Sequence, residues 1–417
     1  MSGDNPNKLD HLRAQLPAVQ CATFLNTGTC GPLPTVVAEA MAEAAQRECE
    51  LGRANLADFI AFRETAFKTR ESLGNLFNVD AESIALTHNT TEGMNISIWG
   101  LEWEPGDEIV TTSIEHPGGL YPAYVVKLRR GVILRFADVG LGSNALDAIE
   151  RAFTPRTKLL VISHVSYSSG ACFPLKEIIE YAHKQGAMVS VDGAQTGGAI
   201  DLDFAELEVD FYAVSGQKWL CGPEGTGALY VRPERVADLQ PTFVGYSSFE
   251  SQDWQGHFLP AKGAARYRGL GVYRPGVIGQ LTALNWFQDS VGPAWAYERI
   301  AKLAKRCREL LGEMDGIVVI TPAEMQAGLV NFVPQGWSPR QMAGMLRELI
   351  QRDFIIRNIA HEPYCLRVST GFYNTEEELI GLRDAIGELL EDGPDKVKIP
   401  QLAMELSDEP VWVESVS

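Results

Sequence analysis

Between residues 83 and 231, short runs of β-branched and apolar residues alternate with amphipathic stretches. The apolar runs are SIALT, DEIVTT, GVILRF, KLLVIS, AMVSV, DFYAV and GALYV. Each is bounded by polar or turn residues, the pattern of strands covered on both faces. In the stretches between them, such as PLKEIIEYAHKQG, apolar residues recur at intervals of three and four, which is the helical period. Strand, helix, strand repetition requires crossover connections and predicts a mostly parallel sheet of seven strands with helices on both faces. The pattern changes near residue 292. Two long polar helices, roughly 293–314 and 338–352, flank short strands around VVIT, GLVNFV and YCLRVS, and another helix follows Thr375. This predicts a large α/β domain over 21–285 and a smaller α+β domain over 286–392, with an N-terminal segment 1–20 and a tail 393–417. Residues 241–275, rich in Gly, aromatic and polar positions, suit a long loop at a pocket or dimer surface, with Tyr246, Phe249, Trp254 and His257 as its contributors.

Composition narrows the classes that fit. With 417 residues, 45% hydrophobic and 22% charged, the chain can bury a large core. A net charge of -18 argues against a nucleic-acid backbone or an anionic membrane as partner. The seven cysteines are scattered, without the paired spacing of a zinc site or a disulfide scaffold, so reduced thiols in cytoplasm and no metal are expected. The start, MSGDNPNKLDHLRAQL, has no apolar signal core, and no apolar run reaches membrane-spanning length.

The chemistry is concentrated where strands end. Asp192 closes VSVD before GAQ, and Lys218 follows YAVS in the run GQKW. Open α/β sheets bind ligands at that edge. A pyridine ring used as an electron sink needs a carboxylate at its nitrogen and an amine able to form a Schiff base, and this pair supplies both. A lysine after a strand is ordinarily solvated and an aspartate before glycine ordinarily caps a turn. Here, however, a carboxylate beside a buried strand needs a positive partner. In THNTTEGMNISIWGL, residues 87–101, a strand ends in hydroxyl residues and a helix opens near Glu92. Such a helix start binds phosphate through free N–H groups, although Thr before a helical Glu is also ordinary N-capping.

Taken together, FLNTGTCGPLP, WGLEWEPGDEI, EHPG, VDGAQ, GQKWLCGPEGTGALYV, PTFVGY and LRVSTGFYNTEEEL resemble, in order, the motifs of the class V branch of fold type I pyridoxal phosphate (PLP) enzymes. That branch includes cysteine desulfurases, cystine and cysteine C–S lyases, isopenicillin N epimerase and several aminotransferases. The likeness runs from about residue 24 to 390 and is strongest to the cystine C–S lyase subgroup. It implies that Lys218 is the Schiff-base lysine and proton carrier, Asp192 the partner of the pyridinium nitrogen, and His116 the ring-stacking histidine. By the same likeness Gln195 bonds the phenolic oxygen, while Thr90, Thr91, Ser215 and Gln217 serve the phosphate. Gln217 stands where many relatives have histidine. Arg367 matches the arginine that grips the substrate carboxylate. Arg357 resembles a second such arginine or else joins a structural ion pair, and Asn26 and Tyr167 fall on the substrate side.

Departures from the family bear on the reaction. Desulfurases carry a reactive cysteine on a mobile loop before the carboxylate arginine, and RNIAHEPYCLR, residues 357–367, is too short for one. Cys365 falls within a strand and is read as inert packing. Tyr167 follows HVS where desulfurases have asparagine, and Gly271 falls where relatives offer a threonine to the neighbouring subunit's phosphate. The resemblance thus implies a homodimeric PLP enzyme for an amino-acid substrate. The expected reaction is β-elimination from cysteine, cystine or a cysteine S-conjugate to pyruvate, ammonia and a thiol or persulfide. Transamination, epimerisation, decarboxylation and desulfuration are the alternatives, as is a non-catalytic binding role.

Overall fold

The computed structural model describes residues 6–245, 248–268, 272–325 and 327–413. Its centre is a seven-stranded sheet of β1 (Ile84–Thr87), β2 (Glu108–Thr112), β3 (Ile133–Ala137), β4 (Thr157–Ser163), β5 (Met188–Asp192), β6 (Phe211–Ser215) and β7 (Gly227–Val231), in the order β1-β7-β6-β5-β4-β2-β3. The contacts from β6 through β5, β4 and β2 to β3 are parallel, and β7 runs antiparallel to both β6 and β1. The predicted strands are therefore present, and one of them points against the rest.

Alternate residues of each strand serve opposite cores, as the period of two requires. Leu159 and Val161 of β4 pack with α3 (Thr90–Trp99) and α4 (Pro117–Arg130) through Met94, Ile98, Ala123 and Val126. Leu160 and Ile162 face the other way, toward Leu73 and Phe77 of α2 (Leu56–Phe77), which follows α1 (Thr35–Leu51), and Ile178 and Ile179 of the helix Leu175–Lys184. Each such side chain, fully buried, contributes ~1.5–3 kcal/mol. Only the edge strand β3 is largely exposed, with Ile133 and Phe136 open to solvent.

A second, four-stranded antiparallel sheet follows: β8 (Ile317–Val319), β9 (Leu329–Pro334), β10 (Arg357–Ile359) and β11 (Cys365–Ser369), in the order β8-β9-β11-β10. Helices Pro293–Gly312, Pro339–Gln351 and Glu376–Asp392 share its core through residues such as Leu310, Met345 and Ile386. Ser338 with Gln341 and Thr375 with Glu378 form capping boxes that start the last two helices. The chain near its N-terminus returns to this sheet: Thr23–Phe24 pairs with Phe354–Ile355, and Asn26 bridges to Ser369. Gly31 N then bonds Gln217 O at 2.8 Å, so residues 26–31 close over the carboxyl ends of β5 and β6.

The stretch expected to be a loop carries a hairpin, Phe249–Gln252 with Phe258–Pro260, and a turn, Ala264–Tyr267, whose Ala264 and Tyr267 are buried with Ala85 of β1. Trp254 is fully exposed near the hairpin tip. Tyr246 and Gly271 lie outside the described residues.

Candidate active site

β5 ends on Asp192 beside the end of β6, and the turn after β6 brings Lys218 to the same cavity of about 270 Å³. The VDGAQ turn admits only glycine at 193, since a Cβ there would stand 2.0 Å from Tyr212 Cε1. That close passage lets Ala194 N donate to Asp192 Oδ1 at 3.0 Å. Asp192 is buried, and among the described residues no cation forms an ion pair with it. Burial pulls the Lys218 ammonium down to about 8, with Asp192 acting in the opposite direction.

One end of the cavity is the start of α3. Asn89 caps it, accepting from Glu92 N at 2.8 Å, so the capping role left open for the threonines falls to their neighbour. Thr90 Oγ1 meets Ser215 Oγ at 2.7 Å, and Thr91 also lines the cavity. Glu92 is turned back onto His88, its carboxylate 2.7 Å from Nδ1. Gly118 permits this crowding: a Cβ there would lie 2.3 Å from Thr91 Oγ1. Free N–H groups, hydroxyls and the positive helix end make an anion site.

His116 and Gln195 form further walls. His116 caps α4, its Nδ1 accepting from Gly118 N at 2.9 Å, which leaves the proton on Nε2. Burial holds its pKa below the usual histidine value. Gln195 is fixed by Trp219 Nε1, which donates to its Oε1 at 3.0 Å, and by donating from Nε2 to Gly28 O at 2.9 Å. One N–H of that amide remains. Gln217 Oε1 has no partner among the described residues.

The opposite end is built by the small sheet. Arg367 is 2% exposed, donates from Nη1 to Tyr167 O at 3.3 Å and from Nη2 to Thr29 Oγ1 at 3.1 Å, and keeps an unpartnered Nε. Burial first, then Arg357, pulls it down to about 10. Among the described residues no carboxylate pairs with Arg367 or Arg357, so the ion-pair alternative for Arg357 is not what the structure contains. A buried guanidinium without a carboxylate is costly, which marks this end as an anion site as well.

One expectation needs correction, and for residues 241–275 one of the two alternatives falls away. Asn26 does not line the cavity: it stands behind Thr29, accepting from its hydroxyl at 2.7 Å, and Thr29 is what meets the arginines. Among its described residues, 241–275 contributes nothing to the cavity wall in this chain, because the hairpin and its turn pack elsewhere. Cys365, in contrast, is buried, and burial pushes its thiol up to about 12. Sequence reasoning missed Gly28, Thr29 and Asn89, although FLNTGTCGPLP and THNTTEG contain them, and it missed His361, which has no local signal.

Residues 23–382 match the family described as Aminotransferase class-V. The chain belongs to this family. It is 33% identical over 389 residues to isopenicillin N epimerase of Streptomyces clavuligerus, covering 88% of this chain and 94% of that protein. Two solved structures of C-DES, 31% identical, superpose with a TM-score of 0.85 over 90% of this chain and 99% and 100% of theirs. One is the cystine C–S lyase with its product cysteine persulfide, and the other, a mutant, holds glycine covalently linked to the PLP cofactor. This chain is a PLP-dependent enzyme with the fold type I architecture. Its cavity fits that cofactor, offering a buried carboxylate with no ion-paired cation among the described residues, a lysine whose charged form burial disfavours, and a helix start with hydroxyls suited to phosphate on one wall.

Proposed function

We propose that this protein is a C–S β-lyase acting on cysteine, cystine or a cysteine S-conjugate and releasing pyruvate, ammonia and a thiol or persulfide. The observation that carries the reading is Arg367, a buried, carboxylate-free guanidinium sharing a cavity with Lys218. Bound PLP supplies an electron sink for the pair released when a bond to Cα breaks. Thr90, Thr91, Ser215 and Gln217 would hold its phosphate, Asp192 its ring nitrogen, and the free Gln195 N–H its phenolic oxygen, with His116 over the ring. Lys218 carries the cofactor and then moves the Cα proton at Nζ. Burial, which disfavours the charged ammonium, assists that proton removal. Arg367 grips the α-carboxylate with two donors, Arg357 adds charge, and Thr29 orients both.

Persulfide transfer of the desulfurase kind is disfavoured because only residues 360–364 separate β10 from β11, and Cys365 is buried. Epimerisation is the second reading, favoured by likeness to an epimerase along almost the whole chain. We place the enzyme in cytoplasm as a homodimer. The exposed Leu56, Phe59, Ile60 and Phe67 of α2 give it an apolar face for a second copy. Incubation with cystine and a panel of cysteine S-conjugates tests the chemistry. Pyruvate with thiol or persulfide is expected. Alanine in place of pyruvate, or inversion at Cα with the C–S bond intact, would overturn the lyase reading.

A further inference from the structure

Tyr167 lines the cavity with its ring edge-on to His116, centroids 4.7 Å apart, and its hydroxyl is hydrogen-bonded to His361 Nε2. The direction of that bond follows from the other ring nitrogen. His361 Nδ1 lies 3.0 Å from Glu362 O, a carbonyl that can only accept, so Nδ1 carries a proton and, in the neutral ring, Nε2 is bare. The Tyr167 O–H therefore donates to Nε2, and the phenolic oxygen keeps lone pairs for the cavity. Tyr167 is buried and His361 is exposed, so the pair joins the cavity to solvent. The carbonyl of Tyr167 accepts from Arg367 Nη1, which ties the phenol's position to the group that would hold the substrate carboxylate.

We propose that Tyr167 and His361 form a two-link proton relay, with Tyr167 the acid that protonates the sulfur leaving Cβ and His361 its supplier from solvent. The inference rests on the lyase reading. His361 takes a solvent proton at Nε2 and becomes imidazolium. Nε2–H then donates to the phenolic oxygen, which turns its own O–H into the cavity. As the Cβ–S bond breaks, its electron pair stays on sulfur and sulfur takes the phenol proton. The Nε2 proton passes to the phenolic oxygen, which restores the tautomer seen in the structure. The solvent proton consumed is balanced by the Cα proton left on Lys218.

The relay is needed because the phenol alone holds its proton tightly. Burial pushes Tyr167 up to about 12, against the pull of Arg357 and Arg367, with Cys365 and Tyr121 adding to the rise. A concerted transfer avoids accumulating phenolate among these groups and the His116 ring.

The test separates acid catalysis from structure. Cysteine S-conjugates with thiol leaving groups of graded pKa are assayed for pyruvate, and deuterium exchange at Cα of L-alanine, which has no leaving group, is followed in parallel. Tyr167→Phe should lose about 10²–10⁴-fold on conjugates of basic alkyl thiols. The loss should shrink steadily toward conjugates of acidic aryl thiols, and alanine exchange should slow by far less than elimination from the alkyl conjugates. His361→Gln should show the same leaving-group dependence, smaller in size. Imidazole ¹⁵N NMR of the unloaded protein should find His361 Nε2 as the acceptor nitrogen, and Tyr167→Phe should change that resonance. Equal losses on every conjugate, a parallel loss of alanine exchange, or a protonated Nε2 in the resting protein would overturn the relay while pyruvate formation by the wild type upheld the lyase. No pyruvate from any conjugate with wild-type enzyme would overturn both.

Discussion

Arg357 and Arg367 stand opposite each other on adjacent antiparallel strands, and both donate to one acceptor, Thr29 Oγ1, at 3.2 and 3.1 Å. Two like charges gathered on a neutral hydroxyl, with no carboxylate among the described residues, repel each other until an anion arrives. The arrangement raises the energy of the empty site and sharpens its preference for a carboxylate-bearing ligand.

Arg367→Ala should therefore act oppositely on activity and on stability. Loss of the carboxylate grip should lower kcat/KM by about 10²–10³-fold, in the range found for truncating one partner of a buried charge pair. Removing an uncompensated buried charge should leave the melting temperature of the unloaded protein unchanged or higher. A fall of several degrees alongside the kinetic loss would mean that Arg367 is chiefly structural.

The lowered Lys218 pKa is also a statement about stability. Its folded value, about 8, lies below the ordinary lysine value of 10.5, so between these pH values the unfolded chain binds more protons than the folded one. Stability of the unloaded enzyme should rise across that window from this group. Lys218→Met removes the charge and should stabilise the unloaded protein by about 2–3 kcal/mol at pH 7, with the gap closing toward pH 10.5. Urea titrations of both proteins at the two pH values measure it; a gap independent of pH would refute the assignment. The same variant should fail to turn yellow with PLP.

Gly118→Ala probes the phosphate end. The added Cβ would stand 2.3 Å from Thr91 Oγ1 and 3.0 Å from His116 Nδ1, so Thr91 must move and the cap bond to His116 loosens. PLP affinity should fall about tenfold, the order of one hydrogen bond to a charged group, with little change in secondary structure. Equilibrium dialysis with PLP reads the change, and unaltered affinity would remove Thr91 from the phosphate site.

The sequence was most informative where chemistry follows strand period. Asp192 and Lys218 could be placed at one sheet edge because apolar runs of strand length end just before each. The direction of β7 could not be read in this way, since GALYV is equally apolar whichever way it runs. Asn26 and Thr29 share a motif, but which one faces the cavity depends on the bridge to Ser369, a contact between distant parts of the chain. His361 lies 194 residues from Tyr167 in sequence, in a stretch with no helical or strand period, so nothing local announces their bond. The aromatic residues of 249–260 read as pocket-directed and conceal a hairpin, across which Phe249 and Phe258 pack with rings tilted by 49° and centroids 4.7 Å apart.

Glu115 supplies a pH-dependent element beneath the site. Its carboxylate is buried and accepts from Thr112 Oγ1 at 2.6 Å, Ser163 N at 2.8 Å and Ser163 Oγ at 2.5 Å, one residue before His116. Burial pushes it up to about 7, the opposing hydrogen bonds notwithstanding, and Asp192 nearby adds to the rise. The folded value lies above the ordinary glutamate value of 4.5, so the folded state favours the protonated form. Its contribution is present below pH 4.5 and is lost as pH rises through 7. Glu115→Gln keeps an acceptor for Ser163, and its amide N–H₂ can donate to the Thr112 hydroxyl, while the charge is removed. It should thus be more stable than wild type by about 1–3 kcal/mol at pH 8 and equal to it near pH 4. Urea denaturation at the two pH values is the measurement. A variant less stable than wild type at pH 8 would show that the ionised carboxylate is tied into the Asp192 region more favourably than its burial allows.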